Sequence, residues 1–321
     1  MSSFADRMLP IPPGSIFAEE GYHVWCGAMF AMHGACWLIY SRWPKALGFE
    51  AWVTHSRLCL AKAPGPEGPF MPVKELFSYE CDVPGEWRVR HNPAVLCRGG
   101  RVYLYFMTNT GNGDWWTHRN RQRIHVAWTE DPEGAWTEQP LLDVTPGGID
   151  SLMVSNPSVA AMPAGRILMI YKAVSADGPM PRGGSVVCGA AVAEHPAGPF
   201  VKTGDALFVN PEHPWAVEDP CMWWEDGRFY VLAKDFHGYF TGTGEVSTAL
   251  FTSPDGLHWQ PDAAHPLAYR NELRFESVLQ RVHRLERPQL YLENGKPKML
   301  VCACMPDADA HTSWNVRIPL A

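Results

Sequence analysis

The sequence predicts an all-β fold, a five-bladed β-propeller with four antiparallel strands in each blade. One unit, made of a polar pair, a short strand, a glycine-containing turn and a second strand, recurs five times along the 321 residues. A second hairpin follows the first in four of the units. Repeats of this size are typical of propellers, and the five units use the whole chain. We therefore expect a single propeller domain over residues 1–321.

The repeat also predicts where the blades begin and end. Asn92, Asn156, Asp219 and Arg287 occupy equivalent places about 64 residues apart, a spacing within the range of propeller repeats. Glycine turns such as the one at Gly227 lie between alternating apolar strands and predict hairpins. No amphipathic helix is evident. We expect the blades at roughly residues 20–75, 88–140, 152–204, 215–262 and 283–321.

The fifth blade lacks a fourth strand at the end of the chain. Its last recognisable strand runs from Trp314 to Pro319 and would be only the third. The segment 14–18 precedes the first full unit, and we expect it to supply the missing outer strand. Such closure removes two open sheet edges, which otherwise promote aggregation. The alternative fold is a β-sandwich in which the repeats are coincidental.

Composition and charge narrow the class of protein. Hydrophobic residues make up 46% and charged residues 19%, as in ordinary folded proteins. The net charge is −7 and no long basic run occurs, so a nucleic acid is not expected as a partner. A locally basic pocket could still take an anionic substrate. No apolar stretch is long enough to span a bilayer, and the N-terminus lacks the pattern of a signal peptide. We expect a cytoplasmic protein without a membrane partner.

The nine cysteines are scattered and odd in number. Cys302 and Cys304 alternate with Ala303 on an apolar strand, so we interpret the cysteines as small buried side chains in a reducing compartment. The sequence contains no Walker-type loop, no Rossmann glycine motif and no metal-ligand spacing. We therefore expect neither a cofactor nor a metal.

Candidate site residues follow from the geometry of a propeller, whose innermost strands line the central axis. Residues just before the repeated prolines should therefore converge on one funnel. Proline suits this position, because it starts a strand without needing a ladder donor. Four of the five units place polar or charged groups there, which is costly unless they meet solvent or a ligand. The converging pairs are Cys26-Gly27, His91-Asn92, Ser155-Asn156, Glu218-Asp219 and Glu286-Arg287.

Further side chains are expected near the same funnel. The second strands would deliver Arg42, Asn109, Lys172, Lys234 and Asp235, and loops would add Arg88, Arg90, Asp150, Glu272 and Glu276. Surface ion pairs are an alternative explanation for any of these. An indole stacks well on the apolar face of a sugar ring. The tryptophan candidates are Trp25, Trp43, Trp115, Trp116, Trp215, Trp223 and Trp224.

Paired carboxylates in a concave pocket are what glycoside hydrolysis requires. One carboxyl group protonates the leaving group, while the other is ionised and activates water or attacks the anomeric carbon. Crowding and burial raise one pKa, and a nearby cation holds another down. Asp219, Glu218, Glu286 and Asp150 are the candidate catalytic carboxylates, and Arg287 and Lys172 are the candidate tuning cations.

The blade motifs carry a family resemblance over nearly the whole chain. HNPAVL, SNPSVAAMPAGRILMIYK and VEDPCMWWEDGRFYVLAKD resemble the five-bladed propeller glycoside hydrolases of families 43, 32, 68 and 117 and the related mannoside phosphorylases, and in particular family-43-like bacterial proteins. Family 43 enzymes carry an Asp base in the first blade, a second Asp in the next and a Glu acid further on. Only Asp219 matches an acidic position, because Cys26, Asn92 and Asn156 stand in the earlier blades.

Two explanations of this departure remain open. The acids could be rotated around the axis, with Asp219, Glu286 and Asp150 as the working set, or the reaction is not hydrolysis. A family-117-like arrangement would let a histidine serve as the acid, which makes His91 or His237 a substitute.

The first hypothesis is an exo-acting glycoside hydrolase for a short oligosaccharide or glycoside. Asp219 would be base or nucleophile, Glu286 or Glu218 the acid, and Asp150 would tune their pKa values. The candidate substrate-binding residues are His91, Asn92, Asn156, Arg287, Lys172, Lys234, Asp235, Arg42 and Trp25.

Two other functions fit the same chain. A glycoside phosphorylase could seat phosphate on Arg42, Arg90, Lys172, Lys234 and Arg287. A non-catalytic sugar-binding propeller should carry equivalent binding residues in every blade. The polar pairs differ from blade to blade, which favours one asymmetric central site, although a fold alone does not decide function.

Overall fold

The computed structural model describes residues 3–309 and 311–321. It confirms the predicted fold: five antiparallel sheets, here called blades I to V, each with four strands that follow one another from the inside outwards, and blade IV with one strand more. Blades I to III comprise, in order, Tyr22–Met32, Ala35–Pro44, Arg57–Ala63 and Met71–Glu75; Trp87–Arg98, Arg101–Gly111, Arg123–Thr129 and Thr137–Leu142; and Met153–Ala161, Ile167–Val174, Val186–Ala193 and Val201–Lys202.

Blade V is completed by the N-terminal segment, as the sequence predicts. Its outer strand Ile16–Phe17 pairs with the last strand of the chain, Ile16 opposite Val316 and Phe17 opposite Asn315. Blade IV has an added fifth strand, and an unpredicted hairpin follows it. Blade IV comprises Val217–Glu225, Arg228–Asp235, Ser247–Ser253, Gln260–Pro261 and Leu267–Tyr269. The hairpin comprises Glu272–Arg274 and Leu279–Arg281. The remaining strands of blade V are Arg284–Glu293, Lys296–Met305 and Trp314–Pro319.

Short helices, which the sequence does not predict, lie between strands. They are Phe4–Arg7, Trp52–His55 and Trp115–Asn120, with single 3-10 turns at Lys45–Leu47 and Phe49–Ala51. Two of the helices lie between the second and third strands of blades I and II, where they add side chains to one end of the axis. Among the described residues, no helix is long and apolar enough to cross a membrane.

The blades pack on one another through apolar side chains of their sheets. Between blades I and II, Trp37 and Leu60 pack with Phe106 in one buried cluster. All nine cysteines are free, and seven are buried, whereas Cys81 is half-buried and Cys97 is exposed. Burying these faces fixes the blades around the axis, because close-packed side chains tolerate little sliding.

Every innermost strand has a bulge at the same place. The register shifts between Trp25 and Ala28 in blade I, and at the corresponding point of the other four blades. In each bulge one residue is left-handed, with φ 52° at Cys26, 56° at Asn92, 47° at Asn156, 60° at Asp219 and 55° at Arg287. Consecutive side chains of a regular strand point to opposite faces. A bulge breaks that alternation, so two consecutive residues can face the axis.

Closure of blade V gives a stability test at two adjacent residues. Phe17 is 5% exposed and packs edge-on against Tyr40 with ring centroids 4.8 Å apart. Phe17→Ala should lower the free energy of unfolding by about 3–5 kcal/mol, because it removes a buried aromatic ring. The measurement is chemical denaturation. Ile16→Ala is the matched control, since Ile16 is 44% exposed, and it should change stability by about 0.5 kcal/mol or less. Equal effects of the two changes would contradict the closure.

Candidate active site

A cavity of about 520 Å³ opens at one end of the axis. The inner strands of all five blades reach it. Their contribution is Trp25, His91, Asn92, Asn156, Glu218, Asp219, Glu286 and Arg287. Both Glu218 and Asp219 line it, as do Glu286 and Arg287, which is the consequence of the bulges. The residues before the repeated prolines therefore converge on one cavity, and their role in a reaction stays a prediction.

The five left-handed residues form a chain of hydrogen bonds across the axis. Cys26 Sγ donates to Asn92 Oδ1 at 2.9 Å, and Asn92 Nδ2 donates to Asn156 Oδ1 at 2.5 Å. Asn156 Nδ2 and Arg287 Nη1 both donate to Asp219 Oδ1, at 2.7 Å and 3.0 Å. Arg287 also lies beside the Cys26 thiol, whose pKa is raised by burial and lowered in part by that guanidinium. We call this set the axial ring.

The axial ring closes the floor of the cavity. All five members are at most 4% exposed. Residues after the ring on the same strands, such as Ala28, Ala94 and Ser158, line a second cavity of about 420 Å³ instead. The ring thus divides the axis into two compartments, and the first compartment is a funnel with a closed end.

Two lysines pair with carboxylates of the neighbouring blade. Lys172 of blade III bonds Glu218 of blade IV, and Lys234 of blade IV bonds Glu286 of blade V at 2.5 Å. Lys172 lies opposite Ser155, and Lys234 lies opposite Glu218, in the strand register. The same strand position therefore supplies both cations, and each pair joins two blades across the funnel wall.

The pKa values of the two adjacent carboxylates of blade IV, Glu218 and Asp219, are shifted in opposite directions. Burial raises the pKa of Asp219 above its ordinary value; Arg287 and Lys234 act against this rise, and Glu218 and Glu286 add to it. Burial also raises the pKa of Glu218, but Lys172 and Lys234 outweigh it and bring the pKa below its usual range. Environments that separate two carboxyl groups in this way produce one acid and one ionised group.

His91 is held in the neutral form. Its Nδ1 is hydrogen-bonded to Ser56 Oγ at 2.7 Å, its ring stacks on Trp52 at 5.0 Å, and it is 3% exposed. Burial, together with the charges of Arg287 and Lys172, lowers the pKa of His91 well below its ordinary value. The other ring nitrogen, Nε2, is hydrogen-bonded to Cys26 Sγ at 3.6 Å. A neutral imidazole holds no imidazolium proton to give a leaving group.

Aromatic rings form much of the upper wall. Trp25, Trp115, Trp116 and Trp215 line the cavity as candidates from the sequence, and Trp52 joins them from a short helix. Trp115 Nε1 donates to the carbonyl of Glu50 at 3.3 Å, which ties the two helical segments together. The other three tryptophan candidates do not line it: Trp43 and Trp223 are core residues, and Trp224 lines the second cavity.

The structure corrects the expectation for Asp150, which lies outside the cavity. Its Oδ2 accepts from Tyr171 Oη at 3.0 Å and from Lys202 Nζ at 2.5 Å, and its Oδ1 accepts from the Thr145 amide at 3.1 Å. Lys202 belongs to the outermost strand of blade III. Asp150 therefore faces the outside of the blade, where it holds the preceding loop.

Asp235 and Arg42 also lie outside the cavity, for a reason of register. Asp235 follows Lys234 and so faces the other side of its strand; it accepts from the amides of Phe240 and Thr241 at 2.8 Å and 3.1 Å. Arg42 is one residue beyond Ser41, the position equivalent to Lys172, and it bonds Glu19 and Glu75 at 2.5 Å and 3.1 Å. Both residues are structural, one capping a loop and one bridging strands.

The remaining candidates are placed away from the funnel. Arg90 pairs with Glu138 at 2.9 Å, and Asn109 Oδ1 is hydrogen-bonded to His118 Nδ1 at 2.5 Å. The exposed His237 ring lies 3.6 Å from that of His213. Arg88, Glu272 and Glu276 are likewise not among the residues that line the cavity.

Several lining residues were missed by sequence reasoning because they lie outside the repeats. Two of them, Val186 and Arg284, are the first residues of strands. The others come from the short helices and from loops, and they are Phe49, Glu50, Trp52, Arg119, Gln122, Arg182, Phe236, Val246, Asn271 and His283. The available signal for Trp52 was composition, because it is an aromatic residue between predicted strands, as are the predicted candidates Trp115 and Trp116. Within the described residues, no group of three or more His, Cys, Asp or Glu could hold a metal.

Solved structures share this fold at low sequence identity. A family 117 glycoside hydrolase from the marine bacterium Zobellia galactanivorans is 15% identical, with a TM-score of 0.63 over 98% of this chain and 88% of its own. An α-L-arabinofuranosidase from Lactobacillus brevis is 13% identical, with a TM-score of 0.65 over 97% and 92%. A GH43_1 enzyme from Xanthomonas citri, solved with xylose, is 15% identical, with a TM-score of 0.59 over 99% and 92%. No protein-family model and no curated protein matches the chain.

The axial ring predicts a difference between two substitutions of Asn156. Asn156→Ala removes a donor to Asp219 and an acceptor for Asn92, and each orphaned buried partner costs about 1–3 kcal/mol. Asn156→Gly loses the same bonds, but glycine adopts a positive φ freely, so it should be less destabilising by about 1 kcal/mol. Chemical denaturation of the two variants measures this. Equal stabilities would show that the left-handed backbone at this position carries no cost.

Proposed function

We propose that the protein is an exo-acting glycoside hydrolase that cleaves a short oligosaccharide or glycoside in the axial funnel. The observation that carries the proposal is the pair Asp219 and Glu218, two adjacent carboxylates on the cavity wall whose pKa values are displaced in opposite directions. Hydrolysis of a glycoside needs one protonated and one ionised carboxyl group. The shared fold with propeller glycoside hydrolases supports the same class of reaction.

The pKa directions favour roles for the two carboxylates that differ from the sequence hypothesis. Asp219, with its raised pKa, is the better general acid, and both its hydrogen bonds fall on Oδ1, which leaves Oδ2 for the leaving-group oxygen. Glu218 is held ionised by Lys172, as the base or nucleophile must be. Glu286, paired with Lys234, adds a negative charge near the place where positive charge develops on the sugar ring.

The shape of the cavity supports cleavage at a chain end. The axial ring blocks the floor, so a polysaccharide could enter the funnel only by its terminus. A volume of about 520 Å³ is that of an ordinary small-molecule pocket. The tryptophans of the upper wall could stack on the next sugar units, because indoles favour the apolar face of a pyranose. His91, Asn92 and Asn156 line the closed end of the cavity, where the terminal sugar would lie.

Phosphorolysis is a second candidate because arginines in the funnel could seat phosphate. The phosphate seat that the sequence suggests is not assembled, since Arg42 and Arg90 pair elsewhere. Lys172, Lys234 and Arg287 are each engaged by a carboxylate. Arg119, Arg182 and Arg284 line the cavity instead, and phosphate dependence of cleavage separates the two reactions.

Asp219→Asn should abolish turnover while leaving the fold intact. An amide cannot supply the proton, so kcat/KM should fall by about 10²–10⁴-fold, measured on the aryl glycoside that the protein cleaves best. Asp226→Asn is the matched control, because Asp226 is an exposed residue of the same blade with φ 48°. It should keep full activity. Wild-type turnover by Asp219→Asn would refute the proposed reaction.

Lys172→Met should move the acidic limb of the pH profile to higher pH. Glu218 must be ionised, so activity is lost as pH falls through its pKa, which Lys172 helps to hold below the ordinary value. Without that cation the pKa of Glu218 rises, and kcat/KM should begin to fall at a higher pH. Lys202→Met is the control, since Lys202 pairs with Asp150 outside the cavity. An unshifted acidic limb would exclude Glu218 as the ionised group.

A further inference from the structure

The funnel carries more positive than negative charge, although the chain as a whole has a net charge of −7. Among the described residues, six basic side chains line it against four carboxylates. Three of these carboxylates, Glu218, Asp219 and Glu286, are each paired with one cation. The remaining lining charges are Glu50, Arg119, Arg182 and Arg284.

Arg119 is the most unusual of these, because it is a buried charge without a carboxylate partner. It is 6% exposed at the end of the helix Trp115–Asn120. Its Nη1 donates to Asn120 Oδ1 at 2.8 Å and to the carbonyl of Arg182 at 2.7 Å. No described carboxylate forms an ion pair with it. Burying an unpaired charge costs several kcal/mol in general, so such a residue is expected where a ligand supplies the missing charge.

Arg182 adds a second guanidinium on the same side of the funnel. It is exposed, lines the cavity, and makes no ion pair within the described part of the chain. Its loop is fastened to the helix, since Asn120 Nδ2 donates to the carbonyl of Pro181 at 2.9 Å and Arg119 bonds the carbonyl of Arg182. Burial lowers the pKa of Arg119, Glu218 acts against this, and the like charge of Arg182 adds to the lowering.

Because Glu218 is already paired with Lys172, it does not neutralise the two arginines. Arginine presents donors in a planar fork that matches the oxygens of a carboxylate, sulfate or phosphate. Arg119 uses only Nη1 for its two hydrogen bonds, so Nη2 and Nε are available to a ligand. Two neighbouring arginines, one buried and one exposed, are an arrangement that binds an oxyanion.

We propose that Arg119 and Arg182 form an oxyanion-binding subsite in the funnel wall. It rests on the proposed function in that the oxyanion would be either a charged substituent of the sugar substrate or free inorganic phosphate. In the first case the substrate class is an acidic sugar, such as a uronic acid or a sulfated sugar. The subsite lies beside Glu218, so it would fix the sugar through a group other than the hydroxyls that face the axial ring.

The test measures binding by calorimetry with probes in matched pairs. Each neutral sugar is compared with its uronic acid, D-glucose with D-glucuronate and D-galactose with D-galacturonate, and inorganic phosphate is titrated alone. Charge-assisted hydrogen bonds of this kind are worth roughly 10- to 100-fold in affinity. The wild-type protein should bind a uronate at least about tenfold more tightly than its neutral partner, or should bind phosphate, and Arg119→Met should remove that advantage.

Controls separate the charge of Arg119 from its structural bonds. Arg119→Lys keeps the charge and should retain part of the preference. Arg121→Met should retain all of it, because Arg121 follows the same helix but pairs with Glu86 and is half exposed. If Arg119→Met does not fold, Arg182→Met replaces an exposed side chain instead and should weaken oxyanion binding by about threefold or more.

Each outcome has a defined meaning. A preference for uronates that depends on Arg119 assigns the oxyanion to the sugar, and phosphate binding without that preference assigns it to free phosphate. Equal affinity for acidic and neutral sugars with no phosphate binding overturns the subsite, as does an affinity that Arg119→Met leaves unchanged. Binding of this kind in a protein that cleaves no glycoside would refute hydrolysis alone. Cleavage of neutral glycosides through Asp219 without it would refute the subsite alone.

Discussion

A left-handed residue at the same point of five inner strands is the constraint on which this site depends. Such a backbone costs about 1–3 kcal/mol for each residue other than glycine, so surrounding contacts must hold it. The bulges turn two consecutive side chains of a blade towards the axis, and Glu218 and Asp219 could not both line one cavity without that change of register. The hydrogen bonds of the axial ring offset part of this cost and also close the floor.

Electrostatics makes the nearly symmetric scaffold chemically one-sided. The cations Lys172, Lys234 and Arg287 all lie in blades III to V, as do their carboxylate partners. Blades I and II contribute the neutral His91, the stacked Trp52 and the short helix that carries Arg119, and a loop of blade III adds Arg182 beside it. A chiral ligand would therefore meet acid–base chemistry on one side and flat or polar recognition surfaces on the other.

The fold and the floor of the site could be predicted from the sequence, whereas the wall could not. The repeat predicts the strand order, and a count of the strands in the fifth unit shows that blade V needs one more. The residues before the prolines converge because every blade has the same relation to the axis. The predicted position of Arg42 and Asp235 in the funnel is wrong, because a shift of one residue along a strand moves the side chain to the other face. The predicted position of Asp150 in the funnel is also wrong, because no strand register fixes the direction of a side chain in a loop. Arg119 and Arg182 were missed because they occupy segments that no repeat describes.

The pairing of Ile16–Phe17 with the last strand has a consequence for synthesis on the ribosome. The partners of this short strand are translated about 300 residues later, which at 5–20 residues per second is roughly 15–60 s. During that interval the strand Ile16–Phe17 has no partner, because the rest of blade V has not yet been translated, and the aromatic ring of Phe17 has only part of its native surroundings. Long-range pairing of this kind slows folding and leaves an open sheet edge. The strand Ile16–Phe17 therefore stays unpaired until the strand Trp314–Pro319 has been translated.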